Sequence, residues 1–504
     1  KELMNMQRFY LYLNMTKPGE KLILSYSDTN AKGEGISPAY LIGSIRSLYP
    51  KLEIEGGAGV RPHKNSINNY CYPENPEAGI DLFLEKLVQE TEKEHEDILE
   101  QADETDAMFG ELYSWYLRNP EYRSRVQKLV QSAFAGKPED IISQSVAKAL
   151  YGEVSPYSAT RLERFAACAF AHFLQYGMKL TERVEYEFKP MDMGNVMHEA
   201  LESFAEEVRK RGMKWTELTE QERNEIADRC LDNIVADYGN TVLKSSARNE
   251  YMIERTRRIL RRTVWALQKQ LEQGEFQPEG FEVTFGGGRI DRVDIMEDQN
   301  KVYVKVIDYK TGNTSFDLVY LYHGLQLQLM IYLDGALRVE QKKYPDKEII
   351  PAGVFYYNIK DPMIQEKIDA DVEAVSAGLM KELKMNGLVQ ADPELVYRMD
   401  SSLGSIPVAF NKDGSFRKNS SVADRTQFAV LGRYVRTKIE KIRSSILEGD
   451  AEVSPYELGK KNACTYCPYM TVCGFDRRLS GYEFRRLKNF SDEELWKAFD
   501  REAE

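Results

Sequence analysis

Hydrophobic and polar positions alternate most regularly in the middle of the chain. The run Val302–Tyr309 is rich in β-branched and aromatic residues, and a second run from Gly288 precedes it. A polar turn, Glu297-Asp298-Gln299-Asn300, separates the two, so the pattern predicts a pair of strands. A further strand is predicted over Pro351–Tyr357. Helical spacing dominates elsewhere. One helix opens the chain and leads through Pro18-Gly19 into a strand, Lys21–Ser27. Residues 31–150 are mostly helical, with a helix start at Ser37-Pro38, a long acidic helix over Glu77–Ala107 and a break at Gly136-Lys137-Pro138. Ser158 is the expected N-cap of a helix running on through Arg161, Phe165 and Phe170, and Pro156 marks a domain start. Further helices are predicted around 192–205, 220–275, Gln328–Tyr332, Asp371–Met385 and Asp424–Ser445.

Length and composition narrow this picture. A chain of 504 residues exceeds one ordinary core, so two or more domains are expected. No apolar run approaches the roughly 20 residues of a membrane helix, and the start shows no signal peptide. It opens mid-pattern and without Met, as a fragment would. The net charge of −12 argues against wholesale coating of nucleic acid but leaves room for a local basic channel. Six cysteines in so long a chain are no disulfide framework, so a reducing, cytoplasmic location is expected.

Candidate chemistry gathers at the central hairpin. Side chains alternate along a strand, so Asp308 and Lys310 share a face and Tyr309 points away. A turn centred between Asp298 and Gln299 pairs Asp291 with Val306, two places from Asp308 on the same face. Two carboxylates and a lysine can hold a divalent cation and a reacting water, although an acid and a lysine at a strand end are also common on solvated edges. Gly194, His198 and Glu202 share one helical face. Gln328 and Tyr332 lie one turn apart on an apolar helix, where a buried amide must find a partner. Cys464, Cys467 and Cys473, spaced x2 and x5, have the pattern of metal or cluster ligands. They are one short of four, with Cys71, Cys168 and Cys230 as candidates; Cys168 is preferred because its helix opens the domain that the other three close. Four thiolates suit zinc or an iron–sulfur cluster. Arg255, Arg258 and Arg262 share a helical face and form a candidate phosphate-contacting patch, with a solvated face offset by acids as the equal alternative.

The sequence Gly288-x-x-Asp291 followed by Asp308-Tyr309-Lys310 resembles the PD-(D/E)xK nuclease superfamily in its RecB-like branch. Gly194-x3-His198-x3-Glu202 resembles the first motif of that branch, and Gln328-x3-Tyr332 its last. The cysteine arrangement resembles the iron–sulfur staple of a subset of these nucleases. Residues 1–30 resemble the last motif of superfamily-one helicases, with Lys17 after Thr16 where that motif carries arginine, and the chain has no phosphate loop. Together the motifs resemble the C-terminal half of B subunits of AddAB-type bacterial helicase–nucleases.

The resemblance implies an α/β fold: a PD-(D/E)xK core of mixed sheet flanked by helices, with helical extensions and a C-terminal cysteine cluster. Residues 1–30 would end a helicase-like domain, 31–150 form a helical connector, and 151–504 the nuclease domain. It implies a Mg²⁺-dependent (or Mn²⁺-dependent) deoxyribonuclease acting as an exonuclease on the 5′-terminated strand in double-strand break repair. The implied catalytic residues are Asp291, Asp308, Lys310, Gln328 and Tyr332. His198, Asp291, Asp308 and the Tyr309 carbonyl would hold the metal, with Glu202 and Asp294 behind them. Cys168, Cys464, Cys467 and Cys473 would carry a [4Fe–4S] cluster. The implied partners are DNA and an AddA-type subunit in a heterodimer, and no membrane. The alternative is a non-catalytic DNA-binding scaffold with an iron–sulfur or zinc structural site.

Overall fold

The computed structural model describes residues 2–26, 40–52, 75–92, 104–133, 141–152, 158–181, 190–237, 246–286, 288–364, 371–479 and 481–503. The chain forms two compact units, residues 1–134 and 135–504. The helix start expected at Ser37-Pro38, the break at Gly136–Pro138 and the domain start at Pro156 lie outside the described residues, as does Cys71.

The first unit contains helices α1 (Glu2–Thr16), α2 (Tyr40–Leu48), α3 (Pro76–Glu92), α4 (Glu104–Arg118) and α5 (Pro120–Ala133). Its core is aromatic: Phe83 stacks on Phe109 at 4.8 Å, and buried Tyr116 donates to the Pro76 carbonyl at 2.6 Å. The strand expected over Lys21–Ser27 does not form across residues 21–26, and Leu22, Ile23 and Leu24 stay exposed. A strand needs a neighbour to take its backbone hydrogen bonds, and no described segment supplies one.

The second unit carries helices α6 (Gln144–Tyr151), α7 (Ala159–Ala167), α8 (Ala169–His172), α9 (Pro190–Lys210), α10 (Glu220–Asp237), α11 (Ala247–Glu272), α12 (Leu318–Tyr322), α13 (Gln328–Lys343), α14 (Val372–Glu382), α15 (Pro393–Met399), α16 (Arg425–Glu448), α17 (Met470–Cys473) and α18 (Asp492–Ala503). Because α6 packs in the same core as α13 and α16, this unit starts ahead of the expected boundary at residue 151. A six-stranded mixed sheet runs in the order β1 (Gln277–Phe285), β2 (Gly288–Asp298), β3 (Lys301–Lys310), β4 (Glu348–Asn358), β5 (Asn386–Gln390) and β6 (Val422–Ala423). The pairs β3–β4 and β5–β6 are parallel and the rest antiparallel. A small second sheet joins β7 (Tyr456–Leu458), β8 (Lys461–Asn462) and β9 (Arg485–Arg486).

Alternation along β3 explains the layering. Val302, Val304 and Val306 enter a core with α7, α13 and α16, whereas Ile307 and Tyr309 enter a second core with α9, α10 and α11. A strand buried on both faces reads as a continuous apolar run.

The hairpin register differs from the expected one. Glu297 and Asp298 pair with Val302 and Lys301, so the turn is only Gln299-Asn300, with Gln299 at φ +39°. Two-residue turns with positive φ match the twist of the flanking strands. Val306 therefore faces Val293 instead of Asp291, and continuing the ladder sets Asp291 directly across from Asp308. The correction is a slip of two residues, which leaves every side chain on its expected face.

Candidate active site

Three strands place acids in one row across the sheet. In the register of β1 on β2, Glu282 stands opposite Asp291, and Asp308 follows on β3. Asp291 Oδ2 accepts a hydrogen bond from the Tyr309 amide at 2.7 Å, which ties β2 to the end of β3. His198, on α9, reaches this row from the helical side: its Nδ1 lies 3.3 Å from Asp291 Oδ2 and 3.9 Å from Glu282 Oε1. Among the described residues, His198, Glu282 and Asp291 form the group whose ligand atoms all lie within 4.8 Å of one another.

Lys310 Nζ stands 2.5 Å from Asp308 Oδ2 and donates to Gln328 Oε1 at 2.9 Å. The Gln328 amide donates to Asp308 Oδ1 and to the Tyr332 hydroxyl, both at 2.9 Å. One amide thus fixes the acid and the lysine together, and Tyr332 sets its orientation. Gln328 is fixed in turn by Glu163 of α7, whose Oε1 accepts from the amides of Leu327 and Gln328 at 2.7 and 2.9 Å. A carboxylate at a helix N-terminus satisfies orphan amides and complements the helix dipole.

The electrostatics are those of crowded acids. Burial, then the Asp291 charge, pushes Asp308 up to about 7 against the pull of Lys310. Glu282 is also raised to about 7, by burial and by Asp291. Burial raises Glu163 to about 7, although the two amides and Lys310 oppose it. At His198 burial works against the imidazolium, but the hydrogen bond to Asp291 and the charges of Asp291, Asp308 and Glu282 outweigh it, so its pKa is raised.

The structure thus brings together Asp291, Asp308, Lys310, Gln328, Tyr332 and His198, with Tyr309 between the two arms of the site. Sequence reading misses Glu282 and Glu163. Glu282 stands at φ +49° in a strand that the hydrophobic pattern does not predict. Backbone strain in a non-glycine residue at such a position is a usable signal only once coordinates exist. Asp294 is not behind the metal site. It is buried on the opposite face in an ion triad, 2.5 Å from Arg292 and 2.9 Å from Lys305. The Arg292 guanidinium lies 5.6 Å from the Trp215 ring centre and 5.7 Å from that of Phe281. Period-two alternation puts Asp294 on that side. Gly194 meets the Thr311 side chain, where an added Cβ would stand 3.4 Å from Oγ1; this is ordinary contact, not the backbone approach expected of a glycine.

The arginines of α11 are largely matched by acids. Arg258 and Arg262 both pair with Asp361, at 2.8 and 3.1 Å, and Arg257 and Arg261 pair with Asp232 and Asp228. Arg255 is exposed and has no ion pair among the described residues. The expected patch is therefore mostly the alternative, a solvated face offset by neighbouring acids.

Cys168 does not lie inside a continuous helix. It breaks the chain between α7 and α8 in an extended conformation, and a π-helical turn, Phe173–Gly177, follows. Its side chain packs with Leu174, Tyr469 and Cys467. Burial, followed by the charges of Cys168, Cys467 and Cys473, pushes the Cys464 thiol up to about 11. All four are free thiols. Cys230 is buried in the other core, away from them.

An acid row on a mixed sheet, with a lysine two residues after its last member, defines a class. Residues 156–474 match the PD-(D/E)XK nuclease superfamily, and the chain belongs to it. It is 39% identical over 520 residues to the B subunit of the ATP-dependent helicase/deoxyribonuclease of Lachnoclostridium phytofermentans, covering 98% of this chain and 43% of that one. The proteins of the same name from Alkaliphilus metalliredigens and Clostridium acetobutylicum are 32% and 31% identical, covering 99% and 98% of this chain and 44% of theirs. The chain spans less than half the length of the curated relatives it matches.

Proposed function

We propose that the chain carries the nuclease domain of a helicase–nuclease B subunit and hydrolyses phosphodiester bonds of the 5′-terminated strand of unwound DNA during double-strand break repair. The observation that carries this is the row Glu282, Asp291 and Asp308 beside a Lys310 held by Gln328. Oxygen donors and one imidazole suit Mg²⁺, or Mn²⁺ in its place. The fit is also electrostatic: carboxylates forced up to about 7 by burial and by one another are relieved by a dication. His198, Asp291, Asp308 and the Tyr309 carbonyl would hold the ion, with Glu282 and Glu202 around them. When bound, it supplies a water of lowered pKa and offsets charge on the phosphorane-like transition state. Lys310 orients the attacking water and stabilises that charge, Gln328 holds Lys310 and Asp308 in mutual register, and Tyr332 fixes the amide.

Under the same reading Cys168, Cys464, Cys467 and Cys473 hold a structural [4Fe–4S] cluster, and residues 1–30 belong to a helicase-like domain. What supports the cluster is that Cys168 and Cys467 pack in one apolar patch and that the charges of Cys168, Cys467 and Cys473 all act on Cys464. The partners are DNA and an AddA-type subunit in a cytoplasmic heterodimer. Among the described residues no helix is long and apolar enough to cross a membrane.

The test is Asp308→Ala in the full-length protein assembled with its A-type partner. With Mg²⁺, ATP and end-labelled linear DNA, the variant should unwind the duplex and spare the 5′-terminated strand while the other is shortened. Loss of the 5′-terminated strand at the wild-type rate would place the active site elsewhere.

A further inference from the structure

Beyond the end of β3, a second polar site lies on the same face of the sheet as the acids. The transverse row through Asp308 continues to Tyr356 on β4 and Asn386 on β5. The next row holds Lys310 opposite Asn358. Lys384, two residues ahead of β5, lines one cleft together with Asn358 and Asn386. Asn386 follows buried Met385 and turns toward the face of Asp308. Asn358 thus stands between the two lysines, paired with Lys310 across the strands and sharing a cleft with Lys384.

The loop after Lys310 is fastened between them. The amide of Thr314 donates to Asn358 Oδ1 at 3.1 Å, and the Asn358 amide returns a hydrogen bond to the Thr314 carbonyl at 3.0 Å. The Phe316 amide donates to Asn386 Oδ1. Beside the fastened loop opens a cleft of about 410 Å³, lined by loop residues 313–315, Asn358, Lys384 and Asn386, with Met385 and Pro407 as its apolar wall.

Lys384 is the cation of this cleft. Among the described residues it forms no ion pair, while its neighbours Lys360 and Glu382 approach each other at 3.8 Å. The acid whose charge acts on it, Asp400, is buried and already accepts four hydrogen bonds from Ser402 and Ser405, at 2.6 to 2.9 Å. Partial burial lowers the pKa of the Lys384 ammonium. A half-buried ammonium that makes no direct ion pair, with Asp400 as the acid acting on it, gains from an anion in the cleft.

We infer that the cleft between loop 311–316 and Lys384 is a phosphate subsite, which takes a backbone phosphodiester of the substrate strand next to the one being cleaved at Lys310. Lys384 provides the charge, and the exposed Asn313 and Ser315 provide hydrogen-bonding groups. The inference rests on the nuclease reading and adds to it a direction: the strand crosses the ends of β3, β4 and β5.

The experiment uses the full chain with a single-stranded oligonucleotide. Lys384→Met keeps the aliphatic stem and removes the charge; Lys384→Arg keeps the charge, and unchanged circular dichroism and melting establish that both are folded. Binding is measured with Ca²⁺ in place of Mg²⁺ across 50–200 mM salt, and cleavage with Mg²⁺. Lys384→Met should weaken binding about tenfold, reduce the slope of log affinity against log salt by about 0.7, and raise KM with kcat held. Lys384→Arg should restore the slope. If the wild-type chain binds and cleaves while Lys384→Met keeps its slope and KM, the subsite is wrong and the nuclease reading stands. If the wild-type chain neither binds nor cleaves, both fall. If kcat drops with KM unchanged in Lys384→Met, the residue acts on chemistry and the inference is overturned.

Discussion

At the scale of single residues, the site works by mutual constraint of charges. Asp308 and Lys310 touch each other, and Gln328 touches both. On the proposed reading Asp308→Ala or Lys310→Ala removes a metal ligand or the partner of the transition-state charge, and should lower the cleavage rate by about 10²–10³-fold or more while leaving the melting profile near wild type. Single-turnover assays of the folded variants check this, and wild-type rates would refute the assignment. Asp308 also predicts a pH dependence. Its carboxyl titrates near 7 without metal, and only the carboxylate is a ligand, so proton and metal compete. Apparent Mg²⁺ affinity should climb steeply from pH 6 to 7 and flatten above 7.5. A Mg²⁺ titration at several pH values reads this directly, and affinity constant from pH 6 to 8 would contradict it.

At the scale of elements, the contact of α7 with the N-terminus of α13 connects the cysteine-bearing segment to the catalytic amide. Glu163 takes the first amides of α13, and Cys168 lies five residues further along the same segment. Glu163→Ala leaves two amides without that acceptor, a cost of about 1–3 kcal/mol for a buried group, and loosens Gln328. We expect a loss of stability together with a slower cleavage step, and near-complete recovery of both in Glu163→Gln, which retains an acceptor oxygen. A Gln variant as slow as the Ala variant would show that charge, not the hydrogen bonds, matters. The sign of the pH effect follows from the raised pKa of about 7 against about 4.5 for a free glutamate. The stabilising contribution of protonated Glu163 is complete below pH 4.5 and is lost as pH rises through 7. Wild type should thus lose stability across that window relative to Glu163→Gln, as denaturant melts at pH 4.5, 6 and 7.5 would report.

At the scale of the whole molecule, the cysteines join the two ends of the nuclease region. Cys168 and Cys464 lie 296 positions apart and enclose His198, Asp291, Asp308, Lys310 and Gln328. Closing a loop that long restricts the unfolded chain, and a metal cluster couples that restriction to folding. Serine at any one of Cys168, Cys464, Cys467 or Cys473 should release iron, bleach visible absorbance and lower the melting temperature. Serine at Cys230, which is packed in the other core, should do none of these. Iron content and thermal melts of the five variants test the ligand set; zinc in place of iron in the native protein would remove the cluster from it. The chain also lacks a phosphate loop, so by itself it should show no DNA-stimulated ATP hydrolysis.

Much of the site was legible in the sequence because its signals are local. Strand alternation alone puts Asp308 and Lys310 on one face, helical spacing puts Gly194, His198 and Glu202 on another, and a polar Gln328 on an apolar helix announces a partner. Relations between distant segments were not legible. The hairpin register turned on whether Glu297 and Asp298 pair or turn, and four polar residues allow either; the ladder settled it and set Asp291 opposite Asp308. Glu282, Glu163 and Lys384 carry no motif, and each gains its role from a neighbour on another element: Asp291, the amides of α13, and the end of β4. The α11 arginines show the converse, since a basic helical face in sequence is neutralised by Asp228, Asp232 and Asp361, brought in from other segments. Periodicity is a property of the backbone and can be read from the chain alone. Charge balance and register depend on which segments meet, and that is set by the burial of both faces of the sheet.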